Sequence, residues 1–234
     1  MKKRKWIAVL SLLFAIVLVG AAGVRFLPSA YADQYQIGDA EISENIRSLK
    51  IDWTSGAVQI AYHSKDTILI QEKSDRELTD DTRLCWKVQG DTLEINYQKP
   101  GWNFLSFVSP KKELTVTLPQ SYILTNADIS ATSADVTVPS LLSDSLKLKS
   151  TSGSIHATVN AREVKSECTS GDMELQVMNE AEEISLKSTS GDMILETEGA
   201  REKVKFPAPR GTSASPWTTP GNSRLPLPPG IFTP

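Results

Sequence analysis

A short phrase recurs along the second half of this chain at a near-constant interval, and few folds can accommodate that. KSTSGSIHAT stands at 149–158, ECTSGDMELQ at 167–176 and KSTSGDMILE at 187–196. Aligned on the threonine of T-S-[GA], copies begin at Thr132, Thr151, Thr169 and Thr189, spaced by 19, 18 and 20 residues. A related Thr54-Ser55-Gly56 sits nearer the start. Apolar residues alternate on both sides of each turn: Leu146, Leu148 and Ser150 precede one corner, and Ile155, Ala157 and Val159 follow it. Period-2 alternation is the strand signature. Two short strands and two turns in about 20 residues predict a β-helix-like solenoid of 18–20 residues per rung, each rung burying its apolar side against the next.

The glycines Gly56, Gly153, Gly171 and Gly191 fall where the chain must reverse, and glycine reaches positive φ without a steric penalty. Asp172 and Asp192, beside two of them, read as acceptors for backbone groups of the turn. Catalysis needs one nucleophile poised by one base, whereas this element appears three to five times, so the cluster reads as scaffold. The rest of 44–205 alternates likewise, through Val58, Ile60 and Tyr62, then Leu84, Trp86 and Val88, Leu93, Ile95 and Tyr97, and Leu114, Val116 and Leu118. No interior segment sustains a 3.6-residue apolar period, so an all-β domain is expected, with helix only in the leader.

That leader is residues 1–32: a basic MKKRK, an apolar run from Ile7 to Val24, and Ala30-Tyr31-Ala32 as an A-x-A cleavage site. It reads either as a cleaved signal peptide or as an uncleaved membrane anchor, and both place the chain from Asp33 onward outside the cytoplasm. Residues 33–43 read as a polar connector. Without the five basic residues of the leader, 20 Lys+Arg face 28 Asp+Glu, a net charge of −8. A basic face for nucleic acid is therefore not expected, nor attraction to an anionic membrane surface.

Candidate chemistry is sparse. Cys85 and Cys168 are the only cysteines, with no CxxC or Cys/His zinc pattern. Cys168 takes the slot of Ser150 and Ser188 and reads first as a small buried residue, then as half of a disulfide, then as a thiol nucleophile. His63 and His156 fall on the outward face as solvated side chains, and the acidic residues between 72 and 81 read as a solvated loop. Asp172 and Asp192 repeat one position in successive copies, so adjacent rungs bring two carboxylates within about 5 Å, near the spacing of a retaining glycosidase pair. A Ca²⁺ site needs more oxygens than this pair supplies. The segment KPGWNFLSFVSP at 99–110 places Trp102, Phe104 and Phe107 between turn residues, either packed into the core or exposed as a contact patch.

An export leader, T-S-G corners every 18–20 residues and the strand KKELTVTLP give 44–205 a resemblance to a bacterial β-strand-repeat family of unknown function, labelled candidate adhesins. The resemblance implies a right-handed β-helix or a related all-β stack and brings no catalytic residues. The expected function is that of a non-enzymatic exported envelope protein for adhesion or sensing, without cofactor or metal. Its partner is an envelope protein or a glycan, and it touches the membrane through the leader where that is uncleaved. The alternative is a carbohydrate-active β-helix using the stacked acids.

Residues 206–234 break the pattern. They hold eight of the 13 prolines, no acid and no alternation, which is the composition of a disordered tail. A different origin is a shifted reading frame. Taking the third base of each codon with the first two of the next, Phe206 to Thr212 can decode as Ser-Ser-Thr-Ser-Gly-Asp, its threonine near 209, where a fifth corner is due. Trp217 before Thr218 forces an aspartate in the same frame.

Overall fold

The computed structural model describes residues 35–99, 110–178 and 181–197, with the backbone of 203–205 and 225–226. The expected leader helix and most of the proline-rich tail lie outside these residues. Among the described residues every regular element is a strand. In chain order they are β1 (Gln36–Ile37), β2 (Ala40–Ile42), β3 (Ser48–His63), β4 (Ile68–Ser74), β5 (Cys85–Gln89), β6 (Thr92–Asn96), β7 (Lys112–Pro119) and β8 (Ile123–Val138). They continue with β9 (Leu142–Ser152), β10 (Ile155–Ser170), β11 (Met173–Val177), β12 (Glu183–Ser190), β13 (Met193–Thr197), β14 (Lys203–Lys205) and β15 (Leu225–Pro226).

These strands form one hydrogen-bonded sheet creased into two faces, because β3, β8 and β10 each serve both. The first half of β3 lies beside β6 and its second half beside β7, all parallel. One face then runs β1-β5-β6-β3-β8-β9-β10-β12-β14. The other runs β2-β4-β7-β3-β8-β10-β11-β13-β15. The period seen in the sequence is the distance from a residue to its partner one rung on: Leu146 pairs with Val164, and Val164 with Ile184.

Alternation decides which side chains meet inside. Leu114, Val58, Val136, Ile155, Met173 and Met193 stack in register along one face, each buried. Leu93, Leu49, Ala127, Leu146, Val164 and Ile184 form the matching column on the other. All belong to one apolar core between the faces. Each large side chain so buried contributes about 1.5–3 kcal/mol, set against the entropy of ordering its rung.

The stack is not laid down in sequence order. After β3 the chain turns back, pairs β4 antiparallel to β7 and β5 antiparallel to β6, and only then crosses to the other side of β3 as β8. Gly56 and Ala134 are therefore partners in adjacent rungs despite the long excursion between them. Residues 33–43, read as a connector, supply β1 and β2, which turn at Gly38 (φ 82°) and cover β5 and β4. Short antiparallel strands at this end satisfy an edge that parallel rungs would leave unpaired.

Candidate functional site

The repeated corner is a place where backbones touch. A Cβ on Gly153 would stand 2.3 Å from the Ala134 carbonyl oxygen, one on Gly171 2.5 Å from that of Gly153, and one on Gly191 2.2 Å from that of Gly171. Gly56 meets the Lys112 carbonyl oxygen at 2.1 Å in the same way. Gly56, Gly171 and Gly191 also have positive φ, at 108°, 146° and 111°. Gly153 does not, so there the absent Cβ rather than left-handed backbone explains the residue. Inside this corner Trp53, Ala131, Ser150, Cys168 and Ser188 form one column, in which side chains after the first rung are small.

Two carboxylates at the corner, those of Asp135 and Asp172, bond the next rung. Asp135 Oδ1 accepts the Ser154 N–H at 2.9 Å, and Asp172 Oδ1 accepts the Asp192 N–H at 3.0 Å. An oxygen held by a backbone donor of the following rung is a stacking device. Among the described residues no three His, Cys, Asp or Glu side chains are grouped to hold a metal ion.

Chemistry of a different kind lies where the first rung departs from the pattern. Asn96 partners Asp52 and Lys112 partners Gly56, so 97–111 replace the three residues 53–55. Trp102, Phe104 and Phe107 belong to this insertion and lie outside the described residues. Its roots are held by Lys112, whose side chain is fully buried. The ammonium pairs with Glu72 Oε1 at 2.7 Å, and it donates to the Thr82 carbonyl at 2.7 Å and to the Tyr97 carbonyl. It also sits 3.8 Å from the Tyr97 ring centroid and 5.1 Å from that of Trp53, two rings packed edge to face. Burial pushes the Lys112 pKa down while the Glu72 carboxylate opposes the shift. Glu72 also accepts the Leu84 N–H at 3.0 Å. Trp53 Nε1 donates to the Lys112 carbonyl at 3.1 Å, and the Tyr97 hydroxyl to the Pro110 carbonyl.

This cluster corrects the reading of 72–81 as wholly solvated. Glu72 follows Ile68 and Ile70 on the inward parity of β4, while Asp75, Glu77 and Asp80 are not buried. Lys112 likewise precedes Leu114, Val116 and Leu118 on the inward parity of β7. Two opposite charges at inward positions were the available signal.

Cys85 and Cys168 are both buried and unpaired. Burial pushes the Cys85 pKa up to about 12, and burial with the nearby Asp172 charge raises that of Cys168. Neither is a ready thiolate. Cys168 Sγ lies 3.3 Å from the Gly171 carbonyl oxygen, filling the corner. His63 is not simply solvated, since its Nε2 bonds the Thr67 carbonyl at 2.5 Å and ties the turn after β3. His156 is exposed, 3.3 Å from Glu174.

Among the described residues no helix is long and apolar enough to cross a membrane. No curated protein matches the chain. Among solved structures, a candidate cell adhesion protein from Clostridium sporogenes ATCC 15579 is similar over 74% of this chain and 100% of its own, at 8% identity and a TM-score of 0.37. A candidate adhesin from Bacteroides fragilis NCTC 9343 is similar over 76% of this chain and 98% of its own, at 13% identity and a TM-score of 0.29. Another, from Parabacteroides distasonis ATCC 8503, is similar over 73% and 97%, at 13% identity and a TM-score of 0.27. None of these scores lets a role be read across. The family model described as Toastrack DUF4097 matches residues 46–205, the span of the stacked rungs, and the chain belongs to that family.

Proposed function

We propose that this chain is a non-enzymatic, exported envelope protein whose stacked sheet is a rigid support for adhesion or envelope sensing. Residues 1–32 direct it across the membrane, cleaved after Ala32 or retained as an anchor. The observation that carries the reading is the use made of the repeated polar residues. The Asp135 and Asp172 carboxylates hold the next rung's backbone, and the glycines let backbones meet. What repeats is thereby used in stacking. What does not repeat, the insertion at 97–111, is gripped at its base by a buried ion pair. The contact patch is assigned to that insertion through Trp102, Phe104 and Phe107, and its partner is an envelope protein or a glycan.

The test is a binding assay on intact cells and isolated envelopes with Trp102→Ser and Phe107→Ser combined. Binding is expected to be lost while the far-UV spectrum and melting temperature stay unchanged. Global unfolding of the variant would return these rings to the core. A polysaccharide turnover that disappears in Asp172→Asn with Asp192→Asn would replace the scaffold with an enzyme.

A further inference from the structure

The edge opposite the glycine column carries a small cleft that the repeats do not explain. It has a volume of about 280 Å³ and is lined by Tyr62, Gln120, Ser121, Tyr122, Ser140 and Leu142. The end of β3, the start of β9 and the turns joining β7 to β8 and β8 to β9 supply these residues. Two features set its shape, and a third lies buried beneath it.

Tyr122 is clamped. Its hydroxyl donates to the Ile46 carbonyl at 2.7 Å and accepts the Ile46 N–H at 3.0 Å, so the half-buried ring is fixed before anything binds. Ser121 is strained. At φ 60° it is the one non-glycine residue with positive φ among the described residues. Its turn is closed by the Tyr122 N–H on the Pro119 carbonyl at 3.2 Å and the Gln120 N–H on the His63 carbonyl at 2.9 Å. Glycine would adopt this conformation more easily, and strain of this kind gathers at ligand clamps. Tyr62 is unsatisfied: its hydroxyl oxygen is buried and has no hydrogen-bond partner. That oxygen is sealed from the cleft, burial pushes its pKa up to about 12, and only the rest of the side chain reaches the lining.

The lining has amide and hydroxyl groups, two aromatic rings and one aliphatic side chain, and it has no charge. Ionic ligands find no counter-ion there. At the lower end of ordinary pocket sizes, the space suits one ring rather than an extended chain. We propose that this cleft binds a single neutral sugar ring, an apolar face of the ring against Tyr122 and its hydroxyls toward Gln120, Ser121 and Ser140. The proposal rests on the envelope reading only for the source of the sugar.

The test is saturation-transfer NMR on the full-length chain with the methyl glycosides of glucose, galactose, mannose and N-acetylglucosamine, and with N-acetylneuraminic acid as an anionic control. Transfer to at least one neutral glycoside is expected, and none to the anion. Gln120→Ala and Ser121→Gly should each weaken binding at least tenfold, and Ser121→Gly should also raise the melting temperature, because it relieves the positive φ at that position. No transfer from any of the four, equal transfer to the anion, or unchanged binding by both variants overturns the proposal. Cell binding without sugar binding sinks the cleft alone. Sugar binding by a protein that ignores cells and envelopes sinks the envelope reading alone.

Discussion

Lys112 is the residue whose surroundings are most demanding. A fully buried ammonium is stable there only because Glu72, two carbonyls and two ring faces replace its water. Lys112→Met strands the Glu72 charge and is expected to cost about 3–5 kcal/mol, read from urea unfolding. Lys112→Met with Glu72→Gln should recover most of that loss, since Gln still accepts from the Leu84 N–H. A double variant as unstable as the single one would remove the stranded charge as the cause. Alkali tests a second group of buried residues. Burial raises the pKa of Cys85 from 9.0, and those of Tyr62 and Tyr97 from 10.0, each to about 12. Each keeps its proton longer folded than unfolded, so its contribution is full below the unfolded pKa and is lost as pH rises through the folded one. The lowered Lys112 pKa acts the other way, toward stability with rising pH, but it is one group against three. Urea midpoints are expected to fall between pH 9 and 12, less steeply in Tyr62→Phe. At this scale the sequence showed the inward parity of Lys112 and Glu72 but not their meeting. That meeting depends on the antiparallel register of β4 on β7, which sets Glu72 opposite Leu114 and Ser74 opposite Lys112. No local pattern encodes such a pairing.

Among elements, the corner separates two reasons for glycine that are usually confounded. Gly90 has φ 64° and nothing within 4 Å of an added Cβ, Gly153 has the clash without the φ, and Gly171 has both. Alanine at Gly90 is expected to cost about 1 kcal/mol from backbone conformation alone. At Gly153 the cost is about 1–3 kcal/mol from forcing rungs apart, and Gly171→Ala should exceed either. Melting temperatures of the three variants decide this, and a Gly153→Ala protein as stable as wild type would remove close approach from the account. The corner's position and spacing were legible because close stacking repeats in every rung and so leaves a periodic mark in the text. The direction of the Asp135 and Asp172 bonds was not, because an acceptor serving its own turn and one serving the next rung need the same residue.

For the whole molecule, the period gave the rung length but not the order of rungs. The antiparallel excursion through β4, β5 and β6 carries no T-S-G mark, so the text could not say that β8 lies against β3. The family match ends at residue 205, and the proline-rich segment begins at the next residue. Two of its residues, Leu225–Pro226, pair antiparallel with β13 at Ile194–Leu195. We propose a shifted frame, in the gene or its reading, as the origin of the segment. Sequencing DNA across codons 203–212 is expected to show the shift, with a further Thr-Ser-Gly-Asp corner restored in the corrected frame. An intact frame removes the idea.

The placement of β3 has a consequence for how such a molecule is completed. It is among the first strands to leave the synthesis machinery, yet it finishes with neighbours on both sides. Residues 36–119 already contain β3, the strands on one side of it and the strands that close that end. Everything after them is added to one free edge, rung upon rung, each using its predecessor as template. Growth can thus run in one direction, and an emerging chain can fold at the pace at which it arrives. Deleting copies from the distal end shortens the object, whereas deleting β3 removes the foundation on which both sides are built.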